Sequence, residues 1–238
     1  MRIIKQLLLL QYYLAIGLLH VHGSSSYNCI NEESGSYCAS PNIPGGLPAN
    51  QTPQFIVMTV DDAIDPTQFE YTKKILGHGH KNPNGSPMPA TYFVTTDNTD
   101  YHLAQQLYAR GSEIAIHTMT HSTSVHTDYN TMRAEILGCK EALSLFAQIP
   151  ADEIVGFRAP FLQANDASFR VLHDNGFLYD SSVPEIIGTK LSLNRKSYIW
   201  PYTFDNLGAQ THPVGVAPER EYPGLWEIPS GCGLKSSL

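Results

Sequence analysis

A chain of 238 residues, 42% hydrophobic and 16% charged, is long and apolar enough to bury one core of ordinary size and is not a disordered polymer. Its formal net charge of -7 excludes the basic surface that a nucleic-acid binder needs. It leaves open an uncharged partner such as a polysaccharide.

Residues 1–23 read as a secretory leader. Arg2 and Lys5 carry positive charge, a largely apolar run from Leu7 to Leu19 is interrupted by Gln11, and Gly23 precedes a serine run. The run is short for a bilayer span. The expectation is a secreted, extracellular protein, cleaved near Gly23 and free of the membrane afterwards. Residues 24–53, rich in Ser, Gly, Pro and Asn, read as a loose N-terminal segment, and 54–238 as the folded domain. Four cysteines (Cys29, Cys38, Cys139 and Cys232) suit an oxidising compartment and allow three pairings. Local spacing favours Cys29 with Cys38, which leaves Cys139 for Cys232.

The apolar run Phe55–Val60 predicts a buried strand. Asp65-Pro66 reads as an N-cap followed by proline in the first helical turn, leading a helix to Leu76. A second strand is expected over Ala90–Val94 and a helix over Tyr101–Arg110, stopped by Gly111. Glu113–Ile116 is the third strand, Thr131–Gln148 a long amphipathic helix and Ile154–Phe157 the fourth strand. A helix over Asp166–Asn175, stopped by Gly176, precedes a fifth strand at Phe177–Tyr179. Tyr198–Trp200 and Leu225–Ile228 are candidates for two more. Strands alternating with helices imply an α/β protein with a parallel sheet, open or closed as a barrel.

The polar residues of interest follow strands. Asp61 and Asp62 come after the first, His117 and His121 after the third, Arg158 after the fourth and Asp180 after the fifth. In α/β sheets the loops at the carboxyl ends of strands converge on one face, where active sites form. The spacing of His117 and His121 places two imidazoles on one face of a helix. With a carboxylate from Asp62 they make a two-histidine, one-carboxylate set of the kind that holds a catalytic zinc with a position left for water. Asp61 is then free to take a proton from that water. Arg158 offers a planar fork of donors to hold a carboxylate in place. Trp200 is a candidate for stacking on a sugar ring.

These residues, in this order, resemble the polysaccharide deacetylase family, also called NodB homology or carbohydrate esterase family 4. The motifs are Thr59-Val60-Asp61-Asp62, where the family usually has Phe at the second position, His117-Thr118-Met119-Thr120-His121, and Arg158-Ala159-Pro160-Phe161. Tyr179-Asp180-Ser181-Ser182 and Leu225-Trp226-Glu227-Ile228-Pro229 resemble the chitin-deacetylase-like branch of insects and fungi.

The resemblance implies a distorted (β/α) barrel. Asp62, His117 and His121 then hold zinc, with cobalt or another divalent ion as the alternative. Asp61 is the base, Arg158 orients it, and the backbone N–H of Phe161 helps bind the oxyanion. Asp180 sets the histidine that protonates the leaving amine. The substrate implied is chitin or another N-acetylated polysaccharide, with peptidoglycan and acetylated xylan as alternatives. The family's Leu-x-His motif, which supplies that histidine, has no counterpart. After residue 180 the sequence holds one histidine, His212, in a loop-like context, and nine residues follow Pro229. The domain is therefore expected to lack its last strands, and the alternative is a weakly active or inactive carbohydrate-binding member of the family.

Overall fold

Apolar runs bounded by turn residues become strands of one sheet, and the amphipathic runs between them become helices laid on its outer face. The computed structural model describes residues 37–40, 42–53, 55–76, 80–187, 199–207 and 214–233. The expected leader, Cys29, Tyr198 and His212 lie outside the described residues. The strands are β1 (Thr59–Asp61), β2 (Thr91–Val94), β3 (Glu113–Ile116), β4 (Gly156–Phe157), β5 (Tyr179–Asp180), β6 (Pro184–Ile187), β7 (Tyr202–Phe204), β8 (Tyr222–Glu227) and β9 (Ser230–Gly233). The helices are α1 (Pro66–Leu76), α2 (Tyr101–Ala109), α3 (Tyr129–Phe146) and α4 (Asp166–Asp174).

β1 to β5 lie side by side in chain order, β8 follows β5, and β7 ends the sheet. All neighbours are parallel except β7 and β8, while β6 and β9 form a separate parallel pair. The α/β expectation holds, and among the described residues the sheet is open rather than closed as a barrel, with β1 and β7 at its edges.

Both faces of the central strands are covered, which is why β2 and β3 read as continuous buried runs. Tyr92, Val94, Ile114 and Ile116 face the helices and meet Met132, Ile136, Cys139 and Leu143 of α3. Phe93, Ala115 and Tyr179 pack on the opposite face. Each helix begins on an acidic or amide cap. Asp65 accepts from Gln68 N, Asp100 from His102 N, Asp128 from Asn130 N, and Asn165 closes a capping box with Ser168. Such a cap contributes about 1 kcal/mol. Gly111 and Gly176 take φ of 93° and 68° at the predicted stops, a conformation that costs glycine nothing.

Several boundaries move. Only the end of the Phe55–Val60 run enters a ladder, and Phe55, Ile56 and Met58 stay exposed because β1 is an edge strand with one neighbour. β5 starts two residues later than expected, so Asp180 lies within the ladder and not beyond it. The strand expected at Tyr198–Trp200 forms at Tyr202–Phe204, and β6 and β9 were not legible as strands.

Residues 37–40 of the N-terminal segment dock on the domain, while most of 42–53 is exposed. Tyr37 exchanges hydrogen bonds with Thr203 and stacks on Trp226 at 5.0 Å, and Ser40 O accepts from Trp200 N. Cys38 is disulfide-bonded. Cys139 is a free thiol, which overturns its expected pairing with Cys232. It sits on the core face of α3 and donates to Val94 O at 3.2 Å, and burial pushes its pKa up to about 12.

Candidate active site

β1 ends on Asp61, and Asp62 then takes a φ of 79°. In an extended strand consecutive side chains point to opposite faces. The left-handed turn at Asp62 breaks that alternation, and the two carboxylates reach different partners on one rim. Asp61 Oδ1 accepts from Arg158 Nη1 at 2.7 Å. Asp62 Oδ1 lies 3.1 Å from His121 Nε2 and 3.6 Å from His117 Nε2.

The histidine spacing predicts a helix, and the structure has none there. The chain leaves β3 in a loop with φ of 67° at Thr118 and 54° at His121, and this loop brings the two rings to 5.1 Å between centroids. Glu135 of α3 holds the loop from behind. Its Oε2 accepts from Met119 N at 2.9 Å and Thr120 N at 3.0 Å, and its Oε1 accepts from Thr120 Oγ1 at 3.1 Å. Sequence reasoning passed over Glu135, because one acidic residue on a polar helix face carries no signal of its own.

His117 is only 2% exposed, and its Nδ1 lies 2.7 Å from Arg158 O. A carbonyl only accepts, so Nδ1 carries the proton and Nε2 keeps its lone pair toward Asp62. Burial lowers the His117 pKa, against the Arg158 hydrogen bond that raises it. The neutral imidazole is the form that ligates metal. One donor atom from each of Asp62, His117 and His121 falls within 4.8 Å of the others. Two imidazole nitrogens and a carboxylate oxygen, with one tautomer already fixed, fit a divalent first-row ion.

All three guanidinium nitrogens of Arg158 donate here. Nε donates to Ser181 O and Nη2 to Ser181 Oγ, both at 2.9 Å. Nη1 reaches Thr59 Oγ1 at 3.0 Å as well as Asp61. Its Cζ lies 4.1 Å from the centre of the Phe93 ring. Phe161, with a φ of 57°, is 58% exposed and sets its ring edge-on to His121 at 4.7 Å. Among the described residues seven other than glycine have positive φ, and five of them (Asp62, Thr118, His121, Phe161 and Leu162) are at this rim. Such conformations cost about 1–3 kcal/mol each and collect where geometry serves a site.

Neither Asp180 nor Trp200 belongs to the Asp62, His117 and His121 cluster. Asp180 is fully buried and accepts from Ser182 N and Ser182 Oγ. Trp200 is half-buried ahead of β7, and no hydrogen bond, ion pair or ring contact among the described residues joins it to Asp62, His117 or His121.

The chain is 38% identical over 197 residues to chitin deacetylase 8 of Bombyx mori, covering 81% of this chain and 50% of that protein. It is 35% identical over 161 residues to chitin deacetylase 1 of Bombyx mori, covering 66% of this chain and 29% of that protein. The chain thus spans half or less of the length of these curated relatives. Among solved structures, a polysaccharide deacetylase of Mycobacterium smegmatis aligns at 24% identity and a TM-score of 0.43, over 63% of this chain and 46% of that one. A family 4 carbohydrate esterase of Streptomyces lividans, in complex with acetate, aligns at 19% identity and a TM-score of 0.44, over 55% of this chain and 64% of that one. Residues 49–179 match the polysaccharide deacetylase family, more than half of the chain and including Asp61, Asp62, both histidines and Arg158, so the chain belongs to that family.

Proposed function

We propose that the protein is a secreted, zinc-dependent deacetylase that hydrolyses the N-acetyl groups of N-acetylglucosamine units in chitin or a related polysaccharide. The observation that carries this reading is the division of labour between two adjacent carboxylates: Asp62 faces two histidines, while Asp61 is gripped by Arg158. The Bombyx mori relatives named chitin deacetylases support chitin as the substrate, and the leader-like N-terminus supports secretion. No helix among the described residues is long and apolar enough to cross a membrane.

Asp62, His117 and His121 are the residues that hold the ion. When bound there, zinc supplies Lewis acidity, which acidifies a water molecule and draws electron density from an acyl oxygen. Asp61 accepts the proton of the water that attacks the acetamide carbon, the Arg158 guanidinium keeps that carboxylate aimed, and as the C–N bond breaks Asp61 returns that proton to the departing amine. Phe161 is the candidate backbone donor to the developing oxyanion, and its exposed ring gives a sugar an apolar surface.

The test is acetate release from N-acetylglucosamine oligomers by the full chain, after chelation and after zinc is restored. Release that needs the metal supports the reading. Saturable binding to insoluble chitin with no acetate released at any metal content overturns it in favour of a carbohydrate-binding protein.

A further inference from the structure

Glu227 lies opposite Asp180 in the β5–β8 register, and both side chains are completely buried. Asp180 Oδ1 accepts from Ser182 Oγ at 2.6 Å and Oδ2 from Ser182 N at 2.9 Å. Glu227 Oε1 accepts from Val183 N at 3.1 Å, and no N–H or O–H donor among the described residues reaches its buried Oε2. The register sets the two carboxyls beside one another, and each shifts the other's pKa. A hydrogen bond between them needs one shared proton, since two carboxylates only accept.

The pair clamps the turn Ser181–Val183 from below, and that turn faces the active site on its other side. Ser182 Oγ accepts from Ala159 N at 2.8 Å, next to Arg158 in the chain. Ser181 supplies both acceptors for Arg158 Nε and Nη2, and its hydroxyl donates to Ile228 O at 2.8 Å, the residue after Glu227. Every hydrogen bond that fixes the Arg158 fork, apart from those to Thr59 and Asp61, therefore comes from the turn seated on this pair.

We propose that Glu227 is a positioning residue, a buried neutral carboxylic acid that donates its proton to the Asp180 carboxylate and through the Ser181–Ser182 turn aims Arg158 at Asp61. Burial, followed by the nearby Asp180 charge, raises the Glu227 pKa well above the ordinary carboxylate range, in keeping with a proton retained at neutral pH. Arg158 is the charged group that opposes this shift. The catalytic consequence rests on the deacetylase reading, whereas the proton and the placement of Arg158 do not.

Three readouts test it on the full, zinc-loaded chain. Infrared spectra at neutral pH should show the carbonyl stretch of a protonated carboxylic acid, shifted by carbon-13 labelling of glutamate and lost in Glu227→Gln. Glutamine keeps the shape and offers an N–H, so Glu227→Gln should keep the slowly exchanging Arg158 Nε–H resonance and most of kcat. Glu227→Leu should lose that resonance and drop kcat on the order of tenfold with KM little changed. The proposal is overturned if the carboxylic acid band is missing from the parent, or if Glu227→Gln loses the Arg158 resonance as Glu227→Leu does. Should Glu227→Leu fail to fold, the band and the glutamine variant decide alone. A parent that releases no acetate but shows the band and the resonance removes the deacetylase reading and leaves the role of Glu227 standing.

Discussion

The carbonyl oxygen of Arg158 accepts Nδ1–H of His117 at 2.7 Å, while the side chain of the same Arg158 donates to Asp61 at 2.7 Å. One residue thus fixes the tautomer of a metal-ligand candidate through its backbone and aims the proposed base through its guanidinium. These two jobs separate on mutation. Arg158→Lys keeps the carbonyl but not the fork, so kcat/KM is expected to fall on the order of 10²-fold, with zinc affinity nearly unchanged. Parallel kinetics and zinc titration check this, and a matching loss of zinc affinity would contradict it.

Glu135 should act on the metal and not on the base. Glu135→Ala leaves Met119 N and Thr120 N without their acceptor, and the loop carrying His117 and His121 loosens. Zinc affinity is expected to weaken by about 10–100-fold, the range for lost outer-shell partners, with the melting temperature of the apo-protein little changed. Competition against a chromogenic chelator measures the affinity.

The buried acid Glu227 predicts a pH dependence of stability with a definite sign. Its folded pKa is raised, so the unfolded chain loses this proton first as pH climbs past about 4.3, the ordinary glutamate value. The native state then holds the extra proton, and this group's contribution to stability falls with rising pH until its folded pKa is passed. Glu227→Gln has no such proton. Its urea midpoint relative to the parent should therefore climb as pH rises from about 4 toward neutrality, and a constant difference across that range would contradict the assignment.

Gly156 and Cys139 report on packing. A Cβ at Gly156 would stand 2.1 Å from Tyr179 Cζ, so Gly156→Ala should lower stability by about 1–3 kcal/mol in a denaturant titration. Cys139, fully buried with its thiol pKa raised to about 12, should react with a disulfide reagent only as the protein unfolds. Labelling of native protein at the rate of an exposed thiol would contradict its placement.

The sequence revealed most where local chemistry decides the outcome. The cap Asp65, the stops Gly111 and Gly176, and the run Glu113–Ile116 all carry their signal within a few residues. The edge position of β1, which leaves Phe55 and Ile56 exposed, depends on which strands come to pair, and no residue of the run encodes that. The candidate ligands were readable from motif order, but the loop that joins His117 to His121 was not. Its shape is set by two left-handed residues and by Glu135 on a helix 14 residues further along the chain. Asp180 was readable as a polar residue at a strand end, but not its partner Glu227, because a parallel register between β5 and β8 unites residues 47 apart.

The central claim is that Asp61 serves as base beside a metal held by Asp62, His117 and His121. It is tested most directly by acetate release from N-acetylglucosamine oligomers with added zinc, with Asp61→Asn run alongside the parent. The account predicts that the parent releases acetate, and that the variant binds zinc as tightly but releases little or none. Equal release by both, or none by a folded and zinc-loaded parent, would contradict it.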